Sequence, residues 1–325
     1  MKTLLLAGAM LAVATACAQT EPTTAYIFTY FEGEGPLKEN LHFAVSDNGF
    51  DWKALNGNKP VVMADTISVS GGMRDPHILR SEDGKSFMIV ATDMSTVRNG
   101  WKENPGIVML RSDDMVNWTH SAVHLSKAFP KEFGDAYWVW APQTIYDPEA
   151  GKYMVYFTVR RQDESKGLVT YYAYANKDFT AFESAPQVLF STENGCIDND
   201  IVKGPDGLWY MFFKDNENLE KHMKGIKYAT SKSLHGPWEE CGHYVDAYAG
   251  HPPVEGSGVF KLNDSDEYVL MYDLYTSKRY EYQTSKDLKT FSDPKPFTKD
   301  FAPRHGTVMP ITATELSRLK AKWGK

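Results

Sequence analysis

The sequence predicts an all-β fold, a five-bladed β-propeller. Three observations carry this: a strand-turn-aromatic phrase that recurs five times, a hairpin-like pair of runs before most copies, and one such pair split between the two ends of the chain.

The recurring phrase reads HFAVSDNGFDW ending at Trp52, VMLRSDDMVNW at Trp118, YYAYANKDFTAF at Phe182, IKYATSKSLHGPW at Trp238 and YEYQTSKDLKTF at Phe291. Each copy is an alternating strand, a polar turn, an apolar residue and an aromatic. The aromatic ends are 66, 64, 56 and 53 residues apart, room for four short strands with turns, which is one blade.

The paired runs are DPHILR with FMIVAT, APQTIYD with YMVYFT, DNDIVK with WYMFFK, and EGSGVF with YVLMYD. Asp83-Gly84, Gly151-Lys152, Asp206-Gly207 and Asn263-Asp264 lie between them as turns. The fifth pair joins AYIFTYF, near the start, to HGTVMPIT, near the end. A last blade built from both ends closes the ring and removes open sheet edges. From Thr312 to Lys325 the chain reads as a short helix that opens on a capping-box spacing, Thr312 to Glu315.

At the start, Lys2 precedes an apolar run from Leu4 to Ala16, too short to span a bilayer and read as a signal peptide over residues 1–18. Cleavage after Ala16 would leave Cys17 for lipidation, and cleavage after Ala18 would be ordinary processing. The protein is therefore expected to be exported, to a bacterial periplasm or cell surface or into the medium, with a lipid anchor as its only membrane contact. Residues 22–325 are expected to form one propeller domain, acting as a monomer.

A formal charge of −7 and the absence of any Lys/Arg-rich run argue against a nucleic-acid partner and favour a neutral substrate. Beyond the signal, Cys196 and Cys241 are too few for a disulfide framework or a zinc site. They read either as a pair or, more simply, as two buried thiols. The polar run Asn263 to Asp266 lacks the alternation of a calcium loop and reads as a hairpin turn.

The innermost strands of a propeller run in one sense, so the residues heading them meet at one mouth. Those heads are Asp75, the neutral pair Ala141-Pro142, Asp198, Glu255 and His305. Three carboxyls facing one dry pocket cannot all stay ionised cheaply, so one is expected to become a proton donor. Inverting glycoside hydrolysis needs that division of labour, with an acid at the leaving oxygen and a base activating water on the opposite face.

RDPHI at Arg74 to Ile78, WAP at Trp140 to Pro142, IDNDIV at Ile197 to Val202, VEGSGVF at Val254 to Phe260 and RHGTV at Arg304 to Val308 together resemble glycoside hydrolase family 43, in its clan of five-bladed propellers. The resemblance spans nearly all of the chain beyond the signal, and within the family the early AYIFTYF and LHFAVSDNG segments and the closing RHGTV resemble a branch containing α-L-arabinofuranosidases. It implies Asp75 as general base, Asp198 as the residue orienting and tuning the acid, and Glu255 as general acid. It also puts His305 where many members have a channel histidine beside a calcium ion or a water cluster, so a structural calcium is a candidate although no cofactor is required. Two departures stand out: Arg74 precedes the base, and Glu255-Gly-Ser replaces the usual Glu-Gly-Pro.

Around the mouth, Trp101, Trp138 and Trp140 are candidates for stacking on sugar faces, with core packing as the alternative. Arg304 is a candidate for hydrogen bonding a sugar hydroxyl, or for pairing with an acid at the rim. Loops from Asp93 to Gly106 and from Gln162 to Gly167 are expected to wall the pocket, favouring exo release of a terminal sugar. Arabinofuranose is the first expectation and xylopyranose the second. An invertase is disfavoured because Asn-Asp-Pro-Asn and Glu-Cys-Pro phrases are missing. A sialidase is disfavoured because the box-like phrase from Ser46 to Trp52 is one residue short. A glycan-binding propeller without catalysis would need no acid and base together.

Overall fold

The computed structural model describes residues 21–216, 225–246 and 252–324. The signal-peptide reading and Cys17 lie outside the described residues. The chain forms five sheets, four of four strands and one of five. From the inner strand outward, blade I is Met73–Arg80, Phe87–Asp93, Gly106–Ser112 and Thr119–His124. Blade II is Ala136–Asp147, Lys152–Arg161, Leu168–Tyr174 and Gln187–Phe190. Blade III is Cys196–Lys203, Trp209–Asp215, Ile226–Ser231 and Glu239–Glu240. Blade IV is Glu255–Lys261, Tyr268–Leu274, Arg279–Ser285 and Lys295–Pro296. In blade V the inner strand Arg304–Thr312 pairs antiparallel with Thr23–Phe31, followed by His42–Ser46 and Asp51–Ala54, with Thr298–Lys299 at the outer edge.

The inner strands touch one another in a ring, each against the next and blade V against blade I. Between neighbouring blades lies an apolar layer. Ile89, Leu110 and Ile311 pack between V and I, Val90, Val139 and Phe157 between I and II, and Met154, Met211 and Phe213 between II and III. Phe212, Leu270 and Tyr272 fill III to IV, and Phe28, Trp52 and Met271 fill IV to V. Because both faces of each sheet are covered, second strands such as Phe87–Asp93 and Tyr268–Leu274 are apolar almost throughout rather than alternating.

The recurring phrase is a turn chemistry. Ser46 Oγ accepts the Gly49 N–H at 2.9 Å, and Asn48 Oδ1 accepts those of Phe50 and Asp51 at 2.8 and 2.9 Å. Ser112 with Asp114, and Ser285 with Asp287, repeat the arrangement. Short polar side chains replace the ladder where the third strand turns into the fourth, and the apolar residue that follows, such as Met115 or Leu288, is driven fully into the core.

The helix Ala313–Trp323 begins on Thr312, whose side chain accepts the Glu315 N–H while the Glu315 carboxylate accepts the Thr312 N–H. Its Leu319 and Trp323 complete the layer between blades V and I. Arg80 forms a two-pronged ion pair with Glu315, tying the helix to blade I. Cys196 and Cys241 are unpaired, the first buried and the second only half-buried. Asn263 to Asp266 is a turn closed by the Leu262 N–H to the Glu267 carbonyl at 2.9 Å.

Candidate active site

Each inner strand carries a bulge near its start. The ladder slips between Arg74 and His77, Trp140 and Gln143, Ile197 and Asp200, and Glu255 and Gly258, and again opposite Thr29 and Phe31 in blade V. In four blades one bulge residue has positive φ: Asp75 at 51°, Ala141 at 46°, Asp198 at 57° and Gly256 at 66°. Such backbone costs non-glycine residues roughly 1–3 kcal/mol and turns side chains out of the ladder. In register, Asp75 matches Asp198 and Gly256, so Glu255 lies one position earlier and corresponds to Arg74 and Arg304. At Gly256 no side chain fits, since a Cβ there would stand 2.9 Å from the Cβ of His305.

The bulges bring Asp75, Asp198, Glu255 and His305 to one pocket of about 80 Å³, with Trp101, Trp140 and Met94 on its wall. His305 Nδ1 lies 3.5 Å from Asp75 Oδ1 and 3.6 Å from Asp198 Oδ1. Thr92 Oγ1 donates to Asp75 Oδ2 at 2.9 Å and itself accepts the Ala141 N–H at 2.9 Å, which fixes the direction of its proton. Asp198 Oδ2 accepts the Gly256 N–H at 2.8 Å, and its carbonyl accepts Ser257 Oγ–H at 2.7 Å. The serine after Glu255-Gly thus makes a tie that proline could not.

Burial alone would raise Asp75, but the neighbouring His305 and the charge of Arg74 outweigh it, with Thr92 helping, and its carboxyl sits below the ordinary value. Asp198 is raised, chiefly by burial and by Glu255 against the pull of His305. His305 is pushed up to about 9: burial opposes its charge, and Asp198, Asp75 and Glu255 more than compensate. The other channel histidine, His77, is pushed down to about 3 by burial and by His305, and its Nδ1 accepts the Thr144 N–H at 3.3 Å.

Glu255 departs from the simplest expectation for an acid. Its Oε2 lies 2.6 Å from Lys214 Nζ and its Oε1 2.9 Å from Arg304 Nη2. Burial raises its carboxyl, yet Lys214 and Arg304 overcome this and hold it below the usual range. Arg304 is also paired through Nε with Asp273, a fully buried carboxyl pushed up to about 7 by burial against the pull of Arg304. Arg304 therefore pairs with two acids, Glu255 and Asp273.

Trp101 is 54% exposed at the mouth, edge-on to Trp140 and 4.9 Å from the Arg74 guanidinium. Arg74 is anchored at 3.2 Å by buried Glu39, which also accepts Ser95 Oγ–H, the Thr96 N–H and Thr96 Oγ1–H. Trp138 does not line the pocket: it lies behind Trp140, stacked at 4.1 Å, with the Arg160 guanidinium 3.8 Å from its ring centroid on packing grounds of its own. The loop Gln162 to Gly167 supplies none of the lining side chains either, because Gln162 N–H and Lys166 Nζ are drawn to Asp135. The wall comes from the loop between Asp93 and Gly106, docked by Asn104, whose Oδ1 accepts Trp140 Nε1–H at 3.0 Å.

Sequence reasoning missed Lys214, Asp273, Thr92 and Glu39. Lys214, Asp273 and Thr92 lie near the ends of second strands, which run antiparallel to the inner ones and finish at the same mouth, while Glu39 lies in the loop before His42–Ser46. Ionisable residues closing the apolar runs WYMFFKD and YVLMYDL were the available signal.

Calcium at His305 does not fit the residues present. Calcium takes about six to eight oxygen ligands, whereas the position between Asp75 and Asp198 is filled by the His305 imidazole. Among the described residues no group of three or more His, Cys, Asp or Glu side chains converges as a metal site.

The profile of a family described as a "probable glycosyl hydrolase domain", related to glycoside hydrolase family 43, matches residues 21–317. An α-L-arabinofuranosidase of Bifidobacterium longum subsp. longum is 26% identical over 332 residues, covering 90% of this chain and 31% of that one. This chain thus spans about a third of that relative's length. A family-43 β-1,3-galactosidase structure superposes with a TM-score of 0.63 at 14% identity, over 86% of this chain and 59% of that one. A family-43 enzyme from Xanthomonas citri complexed with xylose gives 0.52 at 17% identity, over 72% and 75%. These structures share the propeller fold.

Proposed function

The chain belongs to the glycoside hydrolase family 43-related proteins, and from that membership we propose that it is an inverting exo-glycosidase releasing terminal α-L-arabinofuranose from plant-type glycans. The observation that carries the reading is the convergence of Asp75, Asp198 and Glu255 on one small pocket, each in a distinct electrostatic setting.

Asp75, held ionised beside His305 and Thr92, takes a proton from water as that oxygen bonds to the anomeric carbon. Glu255 in its protonated form gives its proton to the glycosidic oxygen on the opposite face, and the carbon–oxygen bond breaks with its electron pair left on the departing oxygen. Asp75 then releases its proton to solvent and Glu255 takes one up, which restores both groups. Asp198 acts through the backbone: by accepting the Gly256 N–H it fixes the residue next to the acid. His305 supplies a positive charge between two carboxylates.

A pocket of this size, walled on one side by Trp101 and Met94, supports removal of one terminal sugar. Arabinofuranose is favoured by the curated relative, and xylopyranose is the second substrate to examine. The enzyme is proposed to act as an exported monomer on carbohydrate, without nucleic acid or cofactor. Product analysis on arabinose-decorated oligosaccharides tests this. Free arabinose as the first product supports the reading, whereas internal fragments without monosaccharide contradict exo action, and binding without any product favours the glycan-binding alternative.

A further inference from the structure

Lys214 closes the second strand of blade III, opposite Ile197, and its side chain is 7% exposed. Its ammonium lies 2.6 Å from Glu255 Oε2 and 4.7 Å from the centroid of the Tyr275 ring. Arg304 occupies the other oxygen of the same carboxylate but is tethered through Nε to Asp273. The two cations therefore differ in freedom. A guanidinium forked between two carboxylates is fixed in plane, while an ammonium on a four-carbon stem can follow a carboxylate that moves.

We infer that Lys214 is a positioning residue for proton delivery: it receives the negative charge that appears on Glu255 when the carboxyl protonates the leaving oxygen, and it holds that carboxylate in place until it is reprotonated. The inference rests on Glu255 being the acid of the reaction proposed above. In the step, the Glu255 O–H bond breaks and a new O–H bond forms on the leaving oxygen. The charge left on Glu255 is neutralised by an ammonium already at hydrogen-bonding distance. A charge-assisted pair of this kind strengthens as the carboxylate forms, so it favours the transition state over the protonated ground state.

The charged and titratable groups around Glu255 are Lys214 and Asp198 from blade III, Asp75 from blade I, Arg304 and His305 from blade V, and Asp273 and Tyr275 from blade IV. Lys214 is the strongest of those lowering the Glu255 carboxyl. Removing its charge must therefore leave Glu255 protonated to higher pH.

The test is a titration of the glutamate side-chain carboxyls by carbon-13 NMR in the unaltered protein, Lys214→Met and Lys214→Arg, with Glu255→Gln to assign the signal. Lys214→Met should raise the Glu255 midpoint by about one pH unit or more, a tenfold change in acid strength, while Lys214→Arg stays near the parent. Turnover should show the alkaline limb of kcat/KM moving up in Lys214→Met. In the same variant kcat should fall more for sugar glycosides than for aryl glycosides, whose departing oxygen needs little protonation. Lys214→Gln replaces Lys214→Met if thermal melts show the latter unfolded. An unmoved midpoint, or equal displacement in the methionine and arginine variants, overturns the inference. A displaced midpoint in a protein that cleaves no glycoside overturns instead the catalytic reading it rests on.

Discussion

Asp198 accepts the backbone N–H of Gly256 at 2.8 Å, so a carboxylate of blade III fixes the bulge of blade IV that presents Glu255. The contact converts a position along one strand into the placement of a side chain on the next. Asp198→Ala should leave the melting temperature within a few degrees of the parent, yet lower kcat by about 10²-fold or more through a misplaced acid. Retained kcat with an altered melt would assign Asp198 to stability alone.

Asp75→Asn and Glu255→Gln each remove one partner of the proposed proton exchange. Both should fold and lose about 10²–10⁴-fold in kcat, measured on an aryl glycoside and on a natural oligosaccharide. Glu255→Gln should keep more activity on the aryl substrate, and Asp75→Asn should lose it on both.

Gly256→Ala forces a side chain into positive φ and against His305. A loss of about 1–3 kcal/mol in urea unfolding is expected, together with a steep fall in activity. Unchanged stability would mean that the bulge relaxes.

His305 has a folded value of about 9 against an ordinary 6.5. Because the folded value is the higher one, its contribution to stability is complete below about pH 6.5 and disappears as pH rises through about 9. His305→Gln should abolish that part of the stability loss between neutral and alkaline pH. It should also raise the Asp75 carboxyl, moving the acid limb of kcat/KM to higher pH. A stability curve of unchanged shape above neutrality would contradict the charged state of His305.

Trp101→Ala should raise KM on oligosaccharides several-fold with little effect on kcat for small aryl glycosides, because the ring is half exposed at the mouth, where a longer substrate leaves the pocket. Glu39→Gln should act the same way more weakly, by loosening the Arg74 guanidinium beneath that ring. Equal KM changes on both substrate types would place the ring's effect inside the pocket.

The propeller was legible because its turns recur as sequence. Ser46-Asp-Asn, Ser112-Asp-Asp and Ser285-Lys-Asp repeat since each third strand needs side-chain acceptors at the same place. The convergence of Asp75, Asp198 and Glu255 was legible from the heads of inner strands, but the cations beside them were not. Lys214 and Asp273 arrive on antiparallel second strands, and only the hairpin register, Ile197 opposite Lys214 and Glu255 opposite Asp273, shows where they end. Counting acids predicted one raised carboxyl among the three, and the family resemblance made Glu255 the donor. The two bound cations reverse that direction and shift the elevated values to Asp198 and Asp273. For Trp138 the sequence left packing and sugar contact open; in the stack of two indoles Trp140 takes the place facing the pocket and Trp138 packs behind it.

The most direct measurement is sugar release by the purified protein from matched aryl α-L-arabinofuranoside and β-D-xyloside, with Glu255→Gln as control. Arabinose released by the unaltered protein and sharply reduced in the control is the predicted result. Release of neither sugar by a folded protein that still binds arabinose-containing oligosaccharides would contradict it.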